Sequence, residues 1–561
     1  METSANPHDE PFYVGLCMAG AVSAGAYTAG VMDYLIEALQ EWEQARKRGD
    51  TDIPTHRVVI PIIGGASAGG MTAVISAAAA VSPLPPVTRA DETNLLNNRP
   101  ENRFYHSWVD LTGEDVFEQM LDTNDISKGK IRSFLNSGFI EEIATRALVL
   151  DTPSHVDRPY FNKNLRIFLT LSNLRGYWYN LFFRSANDER SAYFIHRHND
   201  YARFVLNRTE YANDGWIPLD FFTGTSVAIA RDAAMATGAF PLGLQARKVI
   251  REARHVNDIS WLRETLLRNP LPEGEYESLA VDGGMLNNEP FEHVRQELAE
   301  LTNQHDPKLF NRFNTFQSTI LMIDPFPGVE PDYKPNNNLK EVAFGTLGAL
   351  INQARVKPDA LLDALDDDCA GQYLIAPTRN VIQPDGSEVK ETGDRAIACG
   401  AFGGFSGFLH KEFRIHDFFL GRANCEKFLR DHFVVPEDST NIITHGYASL
   451  TPEQRARFYS TKFKNRLPII PVLKPRGQKY LPLFSSETDW PSIAEKVIED
   501  FRPPMKRRVE SLIMNLADYN AFTWLALAAG SRIILRRKIA GAVIDTIKSS
   551  LGAHNLIRKR K

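Results

Sequence analysis

"VVIPIIGGASAGGMTAVISAAAA", residues 58–80, sets a β-branched apolar run against an alanine-rich helical one, with Ser67 among four glycines at the junction. The run before the glycines is apolar throughout, as a buried strand is, and the run after them is apolar on nearly all sides, as a buried helix is. The same order occurs upstream. "FYVGLCM", 12–18, reads as a short buried strand, a Gly/Ala-rich turn follows, and Tyr27, Val31, Tyr34, Leu35 and Ala38 then recur at helical spacing. Two strand–turn–helix units near the start of a chain point to an α/β fold built on a central sheet.

A chain of 561 residues exceeds one compact core and implies a large domain with a substantial extension. Proline and asparagine make 82–103 a surface excursion. "LRIFLTLSNL" and "GYWYNLFF" read as adjacent strands of a hairpin turning at Arg175–Gly176, and 224–237 as a helix. "SLAV" is a strand leading into "DGG" at 282–284, and "TILMIDP", 319–325, is another. The Asn-rich "KPNNN" marks a boundary near 335, which predicts three parts: 1–335, a mostly helical extension over 336–504, and a helical basic tail over 505–561.

Gly65-Ala66-Ser67-Ala68-Gly69 fits G-x-S-x-G in the strand-to-helix context that this motif requires: small neighbours permit a strained turn that leaves the serine Oγ projecting. The plainer reading is a glycine-rich turn with Ser67 as helix N-cap. A serine hydroxyl needs a positioned base. Of the downstream histidines, His293, His305, His410 and His416, none sits in a small, glycine-rich loop suited to a converging site; Asp282, at the end of an apolar strand and followed by Gly283 and Gly284, does, although Asp-Gly-Gly also suits a simple turn. "MAGAVSAGAYTAG", 18–30, is a small-residue loop able to present consecutive N–H groups to an anion. It contains no G-K-[ST] and no well-formed G-x-G-x-x-G, which argues against nucleotide binding.

Taken in order, the glycine-rich loop after the first strand, G-x-S-x-G after the second and the distal D-G-G resemble the patatin-like phospholipases over roughly residues 10–330. "AMATGAFPLG", 234–243, is similar to the segment before that family's aspartate strand. The resemblance implies a central, mostly parallel sheet flanked by helices and a Ser–Asp dyad without histidine. In it Ser67 is the nucleophile, Asp282 the base, and Gly20, Ala21 and Val22 the oxyanion loop, with no metal or other cofactor. The substrate class it implies is a phospholipid or other acyl-ester lipid. Residues 398–430 resemble a C-terminal extension of a bacterial subgroup. One departure stands out: where the family's loop reads G-G-G-x-[RK]-G, this chain has Gly20-Ala21-Val22-Ser23-Ala24-Gly25, and β-branched Val22 is ill suited to positive φ. Two other readings stay open, an α/β-hydrolase esterase with a Ser-His-Asp triad and a catalytically inactive, membrane-associated scaffold of the same fold.

Charge bears on partners. The net charge is −5, but residues 531–561 carry nine Lys/Arg and one Asp, a tail of +8 on a body of −13. The 13 uncharged residues at 519–531 are too few to span a bilayer. Ile539, Val543, Ile547 and Leu551, flanked by "RRK" and "RKRK", instead predict a helix lying on an anionic membrane surface or docked on the acidic body. The acidic run "DALDDD", 363–368, is a solvated face before it is a cation site. No nucleic-acid partner is expected. Four scattered cysteines without C-x-x-C spacing, and a polar start lacking a basic head and apolar core, predict a cytoplasmic protein, at most peripheral at the inner membrane face.

Overall fold

The computed structural model describes residues 10–87, 101–113, 116–127, 130–150, 156–185, 188–306, 309, 311–328, 372–383, 385–475, 481–515 and 532–558. Among them, β1 (Phe12–Met18), β2 (Val58–Gly65), β3 (Phe161–Ser185), β4 (Asp188–Leu206), β5 (Ile217–Leu219), β6 (Arg247–Glu252), β7 (Glu275–Asp282), β8 (Ser318–Ile323) and β9 (Gln372–Ile375) form one sheet. Its order is β5-β4-β3-β2-β1-β8-β9, with β7 also on β3 and β6 on β7. Strands β3, β2, β1, β8 and β9 run parallel, and β4 is antiparallel to β3. The expected mostly parallel sheet flanked by helices is therefore present.

Strands buried on both faces need apolar residues at every position, and all eight residues of β2 are buried. Pro61 has no N–H to give to a ladder. The pairing of β2 with β3 shifts register between Ile60 and Ile62, the kind of irregularity at which an internal strand tolerates proline. One core packs α1 (Gly25–Arg48) and α2 (Ser67–Val81) against Leu16, Met18, Ile60 and Ile63. A second, on the opposite face, joins Cys17, Ile62 and Phe168 to Trp216, Trp261, Val294 and Leu298.

The hairpin expected at Arg175–Gly176 is not formed. β3 runs unbroken through it, and the chain instead reverses between Ser185 and Asp188. At Arg175–Gly176 the ladder with β4 jumps from Ser172↔Asn199 to Tyr177↔Arg197. Asn173 Oδ1 accepts from the amides of Arg175 and Gly176 at 3.0 and 3.2 Å, so a turn-forming signature is spent on a bulge. That long strand positions the site. β2 leaves β3 at Gly65↔Leu169, and β7 takes over the same edge with Asp282 opposite Leu171. The end of β2 and the end of β7 thus meet two residues apart along β3.

α3 (Gly138–Leu148) and α4 (Val227–Thr237) flank the site, α5 (Phe291–Thr302) covers the second core, and α6 (Lys411–Asp431) crosses α1. At that crossing a Cβ on Gly30 would stand 1.9 Å from the Phe418 carbonyl oxygen, and one on Gly421 2.2 Å from that of Tyr27. Buried Arg422 reaches Asp33 and Glu37 of α1. Residues of the expected extension thus share the core of the sheet domain. The boundary near 335, "DALDDD" and the uncharged run 519–531 lie outside the described residues, as does most of the 82–103 excursion.

The tail is described as α7 (Arg502–Asn515) and α8 (Arg532–Ala553). The stripe expected either to lie on a membrane or to dock on the body is turned mostly inward. Of its four residues Ile547 and Leu551 are fully buried, Val543 is half-buried and Ile539 is 37% exposed, and Ala540 and Ile544 beside them are fully buried. A spacing of four drifts about 40° per step around a helix of 3.6 residues per turn, so Ile539 leaves the face that Leu551 occupies. Lys548 pairs with Glu495 at 2.6 Å and Glu499 at 2.5 Å, and Arg536 pairs with Glu510. The helix is docked on the acidic body. No helix among the described residues is long and apolar enough to cross a membrane.

Candidate active site

β2 delivers Ser67 to the first position of α2 with φ +49, a left-handed conformation that non-glycine residues seldom adopt. Strand and helix must nearly touch for this turn to close: a Cβ on Gly69 would lie 2.2 Å from the Met18 carbonyl oxygen, and one on Gly65 2.5 Å from the Gly69 carbonyl carbon. The Ser67 amide is held by Thr237 Oγ1 at 2.9 Å, and the Thr237 hydroxyl donates to the Thr170 carbonyl of β3 at 2.8 Å. Asp282 is fixed independently. Its amide donates to the Ala239 carbonyl at 3.0 Å, and its carbonyl accepts from Ser172 Oγ at 2.8 Å. A Cβ on Gly283 would sit 2.0 Å from the Thr170 carbonyl oxygen, so the chain can pass β3 there only as glycine.

These constraints converge. Ser67 Oγ donates to Asp282 Oδ2 at 2.7 Å across 215 residues of sequence, and both residues are 6% exposed. The other carboxylate oxygen accepts from the Gly284 amide at 2.7 Å, which turns Oδ2 toward the serine. A carboxylate oxygen at this distance is placed to take the serine proton as a bond to carbon forms.

The loop expected to bind an oxyanion lies against the serine. A Cβ on Gly20 would stand 2.9 Å from Ser67 Cβ and 2.4 Å from Asn288 Oδ1. Val22 corrects the sequence reading: it adopts φ +48 in spite of its β-branch. The extension braces it there. Ser23 Oγ donates to the Gly404 carbonyl and accepts from the Gly407 amide at 3.1 Å, and a Cβ on Gly404 would press on Val22 Cβ at 3.2 Å. Gly404 and Gly407 are support residues that sequence reasoning missed. Their signal was the glycine- and phenylalanine-rich run "GAFGGFSGF", 400–408. Thr237 was missed too, although it stands inside "AMATGAFPLG".

Ser67 and Asp282 sit in an apolar cleft. Its walls are apolar side chains of α2 (Met71, Val74, Ile75), α3 (Ile140, Ile143) and Trp108; among the described residues Ser107 is the only polar lining residue besides the Ser67–Asp282 pair. No histidine among the described residues lines it. His293 Nε2 meets Tyr201 Oη at 2.9 Å beneath Trp261, in the opposite core. His410 accepts from the Glu412 amide at the start of α6, and burial pushes its pKa down to about 4. His416 Nδ1 contacts Asp417 Oδ1 at 2.8 Å, and His305 is exposed. No group of three or more His, Cys, Asp or Glu among the described residues is placed to hold a metal ion.

Residues 16–295 match the family model described as patatin-like phospholipase. An uncharacterized protein of Sinorhizobium fredii, y4iI, is 32% identical to the chain in an alignment covering 76% of this chain and 65% of that protein's length.

Proposed function

Residues 16–295 belong to the patatin-like phospholipase family, and from that premise we propose that the chain hydrolyses fatty-acyl esters of lipids through Ser67 and Asp282. The observation that carries this reading is the 2.7 Å hydrogen bond from Ser67 Oγ to Asp282 Oδ2 inside an apolar cleft.

In the proposed reaction an acyl chain occupies the cleft and its ester carbonyl lies over Ser67. Ser67 Oγ attacks the carbonyl carbon while its proton passes to Asp282 Oδ2. The oxyanion that forms takes hydrogen bonds from backbone N–H groups of the Gly20–Val22 loop. Collapse breaks the C–O bond to the alcohol half, which leaves with the proton from Asp282, and Ser67 retains the acyl group. Water then gives a proton to Asp282 and attacks the acyl carbon, releasing fatty acid and restoring the serine. The catalytic unit is residues 1–335. The segment 336–504 completes it by bracing Val22. The direct 2.7 Å bond from Ser67 Oγ to Asp282 Oδ2 favours the dyad over a Ser-His-Asp triad.

Product analysis on defined phospholipids tests the reading. Fatty acid is expected from the wild type and none from Ser67→Ala; release that survives in Ser67→Ala overturns it. Covalent labelling of the wild type by a fluorophosphonate separates an enzyme from an inactive scaffold, which would stay unlabelled.

A further inference from the structure

The outer end of the acyl cleft opens beside a patch where apolar and cationic side chains both face solvent. Phe240 lines the cleft and is 44% exposed. Two residues on, Leu242 is 72% exposed and is held at φ +63. Phe134, 50% exposed, comes from a separate stretch and is tied to this turn: its amide donates to the Leu242 carbonyl at 2.7 Å, and that of Leu135 to the Gly243 carbonyl at 3.0 Å. The run leading to Phe134, "KIRSF" (130–134), carries exposed Lys130 and Arg132 four and two residues before it. Arg508 of α7 supports the patch from behind, donating to the Phe134 carbonyl at 2.9 Å and pairing with Asp125.

Large apolar side chains held in water are unfavourable unless something covers them. Here they are continuous with the cleft through Phe240, so whatever covers them also covers the entrance. The adjoining cations suit an anionic surface, whereas in the described part of the tail helix Ile544, Ile547 and Leu551 are buried. We propose that Phe134, Phe240 and Leu242, flanked by Lys130 and Arg132, dock the entrance of the acyl cleft onto an anionic bilayer. An acyl chain then passes from membrane to cleft without crossing water. This inference rests on the lipid-hydrolase reading.

The test uses the full chain carrying Ser67→Ala, so that lipid is bound and not consumed, with vesicles of phosphatidylcholine alone or mixed with phosphatidylglycerol. The combined change Phe134→Ser and Leu242→Asp is expected to weaken cosedimentation with both vesicles about tenfold or more. Lys130→Glu with Arg132→Glu is expected to weaken binding to the anionic vesicles by about fivefold per cation and to flatten its salt dependence, leaving binding to phosphatidylcholine alone unchanged. A parental urea midpoint certifies each variant as folded. Three results overturn the proposal: unchanged binding in both variants, binding lost instead on Arg537→Glu with Lys538→Glu in the tail, or a dimer of the chain that Leu242→Asp disperses while vesicle binding persists. A separate assay keeps the underlying reading distinguishable: hydrolysis of a soluble short-chain ester that survives Ser67→Ala refutes the dyad whatever the vesicles show.

Discussion

The backbone amide of Ser67 donates to Thr237 Oγ1 at 2.9 Å, joining the serine turn to the end of a helix 170 residues further along the chain. The Thr237 hydroxyl in turn donates to the Thr170 carbonyl, so the latch spans α2, α4 and β3. Strained backbone of this kind costs of order 1–3 kcal/mol and persists where its surroundings over-determine it. Thr237→Val keeps the shape and removes the acceptor, leaving a buried amide unsatisfied at a cost of about 1–3 kcal/mol. A lowered urea midpoint and a kcat reduced about tenfold are expected, with both restored in Thr237→Ser. Parental kcat in Thr237→Val would show that the turn holds itself.

The proposed dyad predicts strong non-additivity. Ser67→Ala and Asp282→Asn should each lower kcat/KM by about 10⁴, and the double variant should be no worse than either alone, because the two groups act in one proton transfer. His293→Gln, His305→Ala and His410→Gln should keep kcat within a few-fold. Loss of turnover in any folded histidine variant points to a triad.

Gly20 and Val22 should respond oppositely to substitution. A methyl group at Gly20 has no room beside Ser67 Cβ and Asn288 Oδ1, so Gly20→Ala should displace the loop and cost on the order of 10²–10³ in kcat. Val22→Gly relaxes a β-branched residue held at φ +48 and should retain kcat within about threefold. Steady-state kinetics on one soluble ester decides both.

Arg422 couples the extension to the first helix. It reaches Asp33 and Glu37 in a site where all three side chains are nearly inaccessible, and Asp33 also accepts from Asn102 Nδ2 at 2.7 Å. Burial raises the pKa of Asp33 despite the neighbouring guanidinium. Removing one partner strands the others, so Arg422→Ala should destabilise the fold by about 3–5 kcal/mol in urea titrations. A change below about 1 kcal/mol would mean that the carboxylates find other compensation.

Two histidines, one buried and one half-buried, give stability a pH dependence. His56, whose Nε2 lies 2.9 Å from the Ile469 carbonyl, and His410 are both pushed down to about 4 by burial. Between about pH 6.5 and 4 the unfolded chain binds protons at both positions and the folded chain does not, so stability falls as pH falls through that window. Each contributes on the order of 2–3 kcal/mol across it. The urea midpoint should therefore drop between pH 7 and 4.5, and less steeply in His56→Gln. An equal drop in that variant would assign the dependence elsewhere.

The sequence by itself determined the two strand–turn–helix units, the apolar strands of the central sheet and the pair Ser67 and Asp282. Hydrophobic period and glycine spacing are local signals, and the tight turns at 65–69 and 282–284 tolerate few other residues. Tertiary structure decided what local signals leave open. Asn173 and Gly176 have the chemistry of a turn and formed a bulge, because pairing with β4 on both sides holds β3 straight. Val22 entered a conformation its side chain disfavours, because the bond from neighbouring Ser23 to the Gly404 carbonyl, 381 residues along the chain, holds the loop. The stripe of α8 turned inward, because Glu495, Glu499 and Glu510 stood ready to pair its cations. In each case a contact distant in sequence outweighed a local preference worth about 1–2 kcal/mol, and such contacts have no signature until the chain has folded.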